Sequence, residues 1–198
     1  MTAAVPDSWT ELCLIGIKRE SDSSEVQFAG VTEDISGMDF GEKEVEGKTL
    51  VNGGRVVQKT PMTDESITLK VYPVSADLDG TGVMQHMHPQ SSDDTTNPIA
   101  VLNSNLREKH RVVIVWSTTL PATAEAATTL GEPAYRITIS NAYCTKVVPG
   151  FDDKIVSAEV TFKWTPFTKA AVANKLEEST DHTVALAGVS ASPTSITG

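Results

Sequence analysis

Residues 135–164, YRITISNAYCTKVVPGFDDKIVSAEVTFKW, decide the fold. In the second half, Val156, Ala158, Val160, Phe162 and Trp164 alternate with Ser157, Glu159, Thr161 and Lys163. A repeat of two follows the pleat of a strand with one apolar and one wet face. In the first half, Tyr135 to Val148, the residues Tyr135, Ile137, Ile139 and Tyr143 share one parity, and Arg136, Thr138 and Ser140 the other. The turn-forming residues Pro149-Gly150-Phe151-Asp152-Asp153 stand between the two halves and predict an antiparallel hairpin.

Working outward, further strands are expected at Leu12 to Lys18, Glu25 to Val31, Ser66 to Tyr72 and Arg111 to Ser117. Leu12 to Ile17 and Val112 to Trp116 are apolar on both parities, which predicts strands covered on both faces. About six strands favour a barrel or sandwich over an open sheet. Helical signal is thin. Its best candidate is Ala76 to His88, with Leu78, Val83 and Met87 inward, weakened by Gly80 and Gly82. Ala122 to Leu130 holds helix formers between Pro121 and Gly131 and reads equally as a loop.

Two segments are too polar and turn-rich for a core. Gly41 to Pro61, GEKEVEGKTLVNGGRVVQKTP, reads as a long projecting hairpin around Asn52-Gly53-Gly54. The stretch 168–198, rich in Ala, Thr and Ser, reads as a C-terminal arm or flexible tail. The domain reading is therefore an N-terminal segment over 1–10, a β domain over 11–167 containing the 41–61 hairpin, and the arm. A length of 198 residues suits one such domain rather than two.

A net charge of −10, from 16 Lys and Arg against 26 Asp and Glu with no basic cluster, argues against a stable grip on phosphate. The aromatics Phe28, Tyr72, Trp116, Phe162 and Trp164 fall in strand patterns that need them for the core, which disfavours a base-stacking platform; Trp9 and Phe151 are left over. Cys13 and Cys144 lie too far apart for a metal or redox motif and read as buried free thiols. The N-terminus lacks the pattern of a signal peptide, and no stretch has the ~20 apolar residues of a membrane span, so a soluble compartment and no membrane partner are expected.

Chemistry is sparse. There is no nucleophile elbow, Walker loop or dinucleotide fingerprint, and Gly80-Thr81-Gly82 reads as a loop. His86 and His88 have a spacing that can hold zinc or iron, but they read better as surface histidines beside a short helix. Asp39 to Glu46 lacks the spacing of a calcium loop. The expectation is no enzyme, no cofactor and no metal.

The order of these pieces resembles the major tail tube proteins of long-tailed viruses of bacteria and archaea. Early strands around Leu12 to Val31 are followed by the polar hairpin Gly41 to Pro61. Then SITLKVYP (66–73) leads into a short helix-like stretch, and the hairpin YRITISNAYCTKVVPGFDDKIVSAEVTFKWTP closes the sheet. The resemblance spans roughly 10–167 and implies an all-β barrel or sandwich with one short helix. It also implies six copies closing into rings that stack into a tube with a shared inner sheet. In that setting the hairpin reaches an adjacent subunit, with Glu42, Glu44, Val45, Glu46, Leu50, Val51, Arg55, Val56 and Val57 as its contact residues. Glu42, Glu44 and Glu46 are candidates to face a lumen through which DNA passes without sticking. Tape-measure and tail-terminator proteins are the implied partners, and the implied place is the virion tail, assembled in the host cytoplasm. The inner tube of a contractile injection system shares the same fold family. A β-sandwich that binds a receptor or carbohydrate is the alternative from another class.

Overall fold

The computed structural model describes residues 12–19, 23, 25–37, 43–48, 55–60, 65–73, 86, 109–152, 155–164, 175–179 and 185–189. They form nine strands: β1 (Leu12–Arg19), β2 (Glu25–Ser36), β3 (Lys43–Lys48), β4 (Arg55–Thr60), β5 (Glu65–Pro73), β6 (Lys109–Ser117), β7 (Ala134–Asp152), β8 (Ile155–Trp164) and β9 (Lys175–Ser179). Seven belong to one antiparallel sheet in the order β6-β1-β2-β5-β8-β7-β9, and a further β6–β7 ladder closes the first six into a barrel. β3 and β4 form a separate two-stranded sheet, the hairpin expected within 41–61. The fold is all-β, as the sequence predicts.

The two-residue repeat fills the barrel. Cys13, Ile15 and Ile17 on β1, Ile67, Leu69 and Val71 on β5, and Val112, Ile114 and Trp116 on β6 point to one interior. Ile137 and Ile139 on β7 and Ala158, Val160, Phe162 and Trp164 on β8 join them. Each large apolar side chain so buried contributes about 1.5–3 kcal/mol. Tyr72 departs from its expected core role. It lies on the other face of β5, with its hydroxyl donating to Asp34 Oδ2 at 3.2 Å and Lys70 Nζ 5.6 Å from the ring.

Six strands close because β2 and β7 each serve two neighbours and bend between them. β7 pairs with β6 through Ala134–Tyr143 and with β8 through Tyr143–Asp152. Two bulges mark the bend. Ser140 and Asn141 stand against the single residue Arg111, with Asn141 at φ 57°, and Thr145 is an extra residue between Cys144 and Lys146. Asn tolerates the left-handed region better than other non-glycine residues, and bulges sharpen local twist. On β2, four residues, Val31 to Asp34, stand against Lys70 alone. There Thr32 Oγ1 accepts a 2.8 Å bond from Trp116 Nε1. Strands that switch sheets at bulges are the usual corners of such barrels.

The expected turn at Pro149–Asp153 is displaced. β7 continues through Pro149, Gly150 and Phe151 to Asp152, which pairs with Ile155, leaving a two-residue connection at 153–154. The sequence reading overvalued Pro149 as a breaker, because a proline fits wherever its missing N–H faces away from the paired neighbour.

The double-sided apolar pattern of β1 and β6 is also realised. Leu14, Val113 and Val115 point outward and are covered by Ala124, with Val189 packed against them. The covering segment 118–133 contains no helix, so Ala122 to Leu130 takes the loop reading.

Gly30 tests the tightness of the interior, because a Cβ there would stand 2.5 Å from Ile15 Cδ1 and 2.9 Å from Cys13 Sγ. Gly30→Ala is expected to destabilise by about 1–3 kcal/mol through overpacking. Thermal denaturation should show the midpoint falling by about 2–4 °C per kcal/mol.

Candidate assembly surface

The first element is a free sheet edge. β6 ends its pairing with β7 at Lys109↔Tyr143, so the β7 edge opposite β8 carries no strand from 144 to 152 among the described residues. The backbone groups it presents follow from the register. A pair that closes a two-residue loop exchanges both hydrogen bonds, which makes Asp152↔Ile155, Gly150↔Ser157 and Val148↔Glu159 the bonded pairs. Val147, Pro149 and Phe151 therefore turn their backbone groups to the free edge. Pro149 has no N–H to offer there, so the edge lacks a donor between Val147 and Phe151. Val148 is 42% exposed, and Lys146 and Glu159 form a 2.6 Å ion pair across the outer surface. That pair is solvent-exposed and contributes little stability.

The second element is the β3–β4 hairpin. Glu44 stands opposite Lys59, Val45 opposite Gln58, Glu46 opposite Val57, and Lys48 opposite Arg55, while Val56 faces Gly47. The register thus brings Glu44, Val45, Glu46, Arg55, Val56 and Val57 onto one two-stranded ribbon. Glu42, Leu50 and Val51 lie outside the described residues.

The third element is the outer wall of β1, β6 and β7, whose polar anchors sequence reasoning missed. Arg136 has 1% exposure although it occupies the parity read as wet. Its Nε donates to Glu177 Oε2 on β9 at 3.0 Å, NH1 donates to Ala126 O at 3.1 Å, and NH2 donates to Ala187 O. One planar guanidinium thereby ties the 118–133 loop, β9 and the 185–189 segment to the barrel. Beside it, Glu125 accepts from Lys18 Nζ and from Arg111 NH1, each at 3.1 Å. The 185–189 segment adds backbone bonds, Thr128 N to Leu186 O at 3.0 Å and Val189 N to Glu125 O at 2.7 Å. Leu186 N also donates to Thr128 Oγ1 at 2.9 Å. Part of the stretch expected as an arm is therefore seated on its own chain, with β9 paired to β7 from Ala134↔Ser179 to Thr138↔Lys175. The only sequence signal for this seat was the double-sided apolar pattern of its neighbours β1 and β6.

The histidine expectation needs correction. His86 is helical and fully buried rather than on the surface. Its Nε2 donates to Ile17 O at 2.7 Å, and its ring lies 6.2 Å from that of His110, which in turn meets Phe162 edge-on at 5.7 Å. The rest of 76–88, His88 included, lies outside the described residues, as do Trp9 and Asp39 to Glu42. Among the described residues no three potential ligands gather into a metal-binding group, and no helix is long and apolar enough to cross a membrane. Cys13 and Cys144 are free thiols, with burial pushing them up to about 12 and about 11.

No family profile matches the chain, and no curated protein matches it in sequence. Solved structures do resemble it. One is a chain of the anti-feeding prophage baseplate, with TM-score 0.45, 11% identity, and coverage of 77% of this chain and 88% of that one. Another is a chain of the tube-terminating cap of the anti-feeding prophage, with TM-score 0.42, 17% identity, and coverage of 83% and 88%. A third is Hcp protein, with TM-score 0.33, 10% identity, and coverage of 85% and 99%. All three fall below 25% identity and a TM-score of 0.5.

Two substitutions test the outer wall. Arg136→Met removes a buried cation and strands its acceptors, and is expected to cost about 3–5 kcal/mol by urea denaturation. Glu25 is held above the usual carboxylate range, first by burial and then by the nearby Glu125 carboxylate, against the opposing bond from Gln27. A carboxylate raised in the folded state destabilises once it must ionise. Glu25→Gln is therefore expected to melt higher than the parent at pH 7, with the difference vanishing as pH falls below the ordinary carboxylate range.

Proposed function

We propose that this chain is a non-enzymatic structural protein of the tail-tube type, which assembles with copies of itself into stacked hexameric rings. The rings form a tail tube through which viral DNA passes. The observation that carries this reading is the β7 edge over 144–152, which carries no strand among the described residues, on a barrel that is otherwise closed. Unpaired strand edges are templates for another chain, and soluble monomers normally blunt or cover them. A head-to-tail contact between copies closes into a ring or grows into a filament, depending on the rotation between them.

Pro149 gives such a contact a register. A neighbouring strand can accept from Val147 and Phe151 but not from the position between them, so slipped pairings leave an acceptor unmet. The β3–β4 hairpin is the second contact in this reading, reaching an adjacent subunit through Glu42 to Val57. Glu42, Glu44 and Glu46 face the lumen, where carboxylates keep phosphate from binding, in keeping with the net charge of −10. Tape-measure and tail-terminator proteins are the further partners, the site of action is the virion tail, and assembly takes place in the host cytoplasm.

Negative-stain microscopy of the purified protein, with light scattering on the same sample, is expected to show rings or tubes with a central channel. Phe151→Pro removes an edge donor beside Pro149 without touching the β8 ladder, and is expected to leave a folded protein that no longer forms tubes. A 21.1 kDa monomer at every concentration, also with tail-tip components added, overturns the proposal. Normal tubes after deletion of Glu46 to Arg55 overturn the role of the hairpin. A tube that carries a protein load in place of DNA identifies the inner tube of a contractile injection system.

A further inference from the structure

We propose that β9 (Lys175–Ser179) and residues 185–189 form an exchangeable strap, and that its seat on β7 and the 118–133 loop also accepts the strap of a second copy of this chain. The inference deepens the assembly reading, on which it rests for the presence of the second copy.

Two features of the chain carry it. β8 and β9 lie on the same edge of β7 and run in the same direction, β8 over Tyr143–Asp152 and β9 over Ala134–Thr138. Between the paired residues Thr138 and Tyr143 the distance along β7 is about 17 Å at the rise of a strand. Residues 165–174 connect Trp164 to Lys175, and ten residues reach about 33–36 Å when extended. The covalent connection is therefore about twice as long as the path it has to cover, and it does not dictate which copy's β7 receives β9.

The seat itself is specific. It offers a strand edge for β9, the Arg136 fork for Glu177 and the Ala187 carbonyl, the Glu125 and Thr128 backbone for 186–189, and an apolar floor under Val189. This combines strand addition with a side-chain anchor, a recurrent way of capturing an extended segment. The contacts are the same whether the strap comes from the same copy or another. The balance then depends on linker entropy and local concentration, and a short flexible tether gives an effective concentration in the millimolar range. Neighbours in a ring or tube compete at that level, which makes exchange a low-cost route to linkage.

The test uses partners that cannot cross-link within one chain. Ala134 and Ser179 are directly paired, so Ala134→Cys and Ser179→Cys place two thiols within disulfide reach only where a strap is seated. The full-length single variants are mixed, held near their thermal midpoint, cooled and oxidised. The expected result is a covalent heterodimer at twice the 21.1 kDa chain mass, absent from either variant alone under the same treatment and from a wild-type control. Thr128→Cys mixed with Leu186→Cys repeats the test at the other end of the seat should the first pair fold poorly. If the double variant Ala134→Cys/Ser179→Cys closes its own disulfide and the mixture yields no heterodimer, exchange is overturned. Tubes grown from that double variant separate this inference from the assembly reading. An interchain ladder supports exchange, whereas intact tubes with only intrachain disulfides overturn exchange and leave the tube standing.

Discussion

The architecture depends on one strand being shared three ways. β7 gives one edge to β6, half of the other to β8, and the remainder to β9. A straight strand cannot do this, because closing six strands requires its two halves to belong to differently oriented parts of the sheet. The bulges at Ser140-Asn141 and Thr145 provide the bend, and Thr145 Oγ1 donates to Thr161 O at 3.1 Å where the ladder shifts. Two parts of the candidate assembly surface follow from that bend: the edge over 144–152, which carries no strand among the described residues, and the row on which β9 lies.

The outer wall shows how a small barrel gains a second layer without a second sheet. Leu14, Val113 and Val115 need cover, and the chain supplies it with loop rather than helix or strand. Loops bring backbone polar groups with them, and buried polar groups must be paired. Arg136 answers two of the carbonyls, Glu125 is answered by Lys18 and Arg111, and Gln27 Oε1 accepts from Ala124 N at 2.9 Å. Gly16 permits the approach, since a Cβ there would lie 2.9 Å from that of Ala124. The cations on this wall therefore anchor the covering layer.

Much of the barrel was legible because its strands carry their burial in the alternation of side chains. β8 reads directly, and so does the double-sided cover on β1 and β6. The extent of β7 was not legible. Pro149 and Gly150 carry turn chemistry, and only the pairing partner decides that the proline nitrogen faces an open edge. Arg136 was misread for a related reason: a charged residue on the wet parity looks solvated until distant residues, here Glu177 and Ala187, are known to lie against it. His86 is the same kind of miss, since a carbonyl 69 residues away in sequence accepts its proton. The β3–β4 hairpin was legible from its glycine turn and flanking residues, but its role in contacts is a matter of neighbours that no single chain contains.

The closing ladder also has a kinetic meaning. β1 meets β2 as a local ribbon, yet its other edge pairs with β6, as in Leu14↔Val115, and barrel closure then waits for β7. Non-local strand pairing is slow because the intervening chain must first surrender its freedom. At a synthesis rate of about 5–20 residues per second, the nascent β1–β2 ribbon stands with an uncovered edge for roughly 5–20 s before β6 emerges. During translation, the segment Leu12–Arg19 is thus open to mispairing and to chaperones until β6 is made.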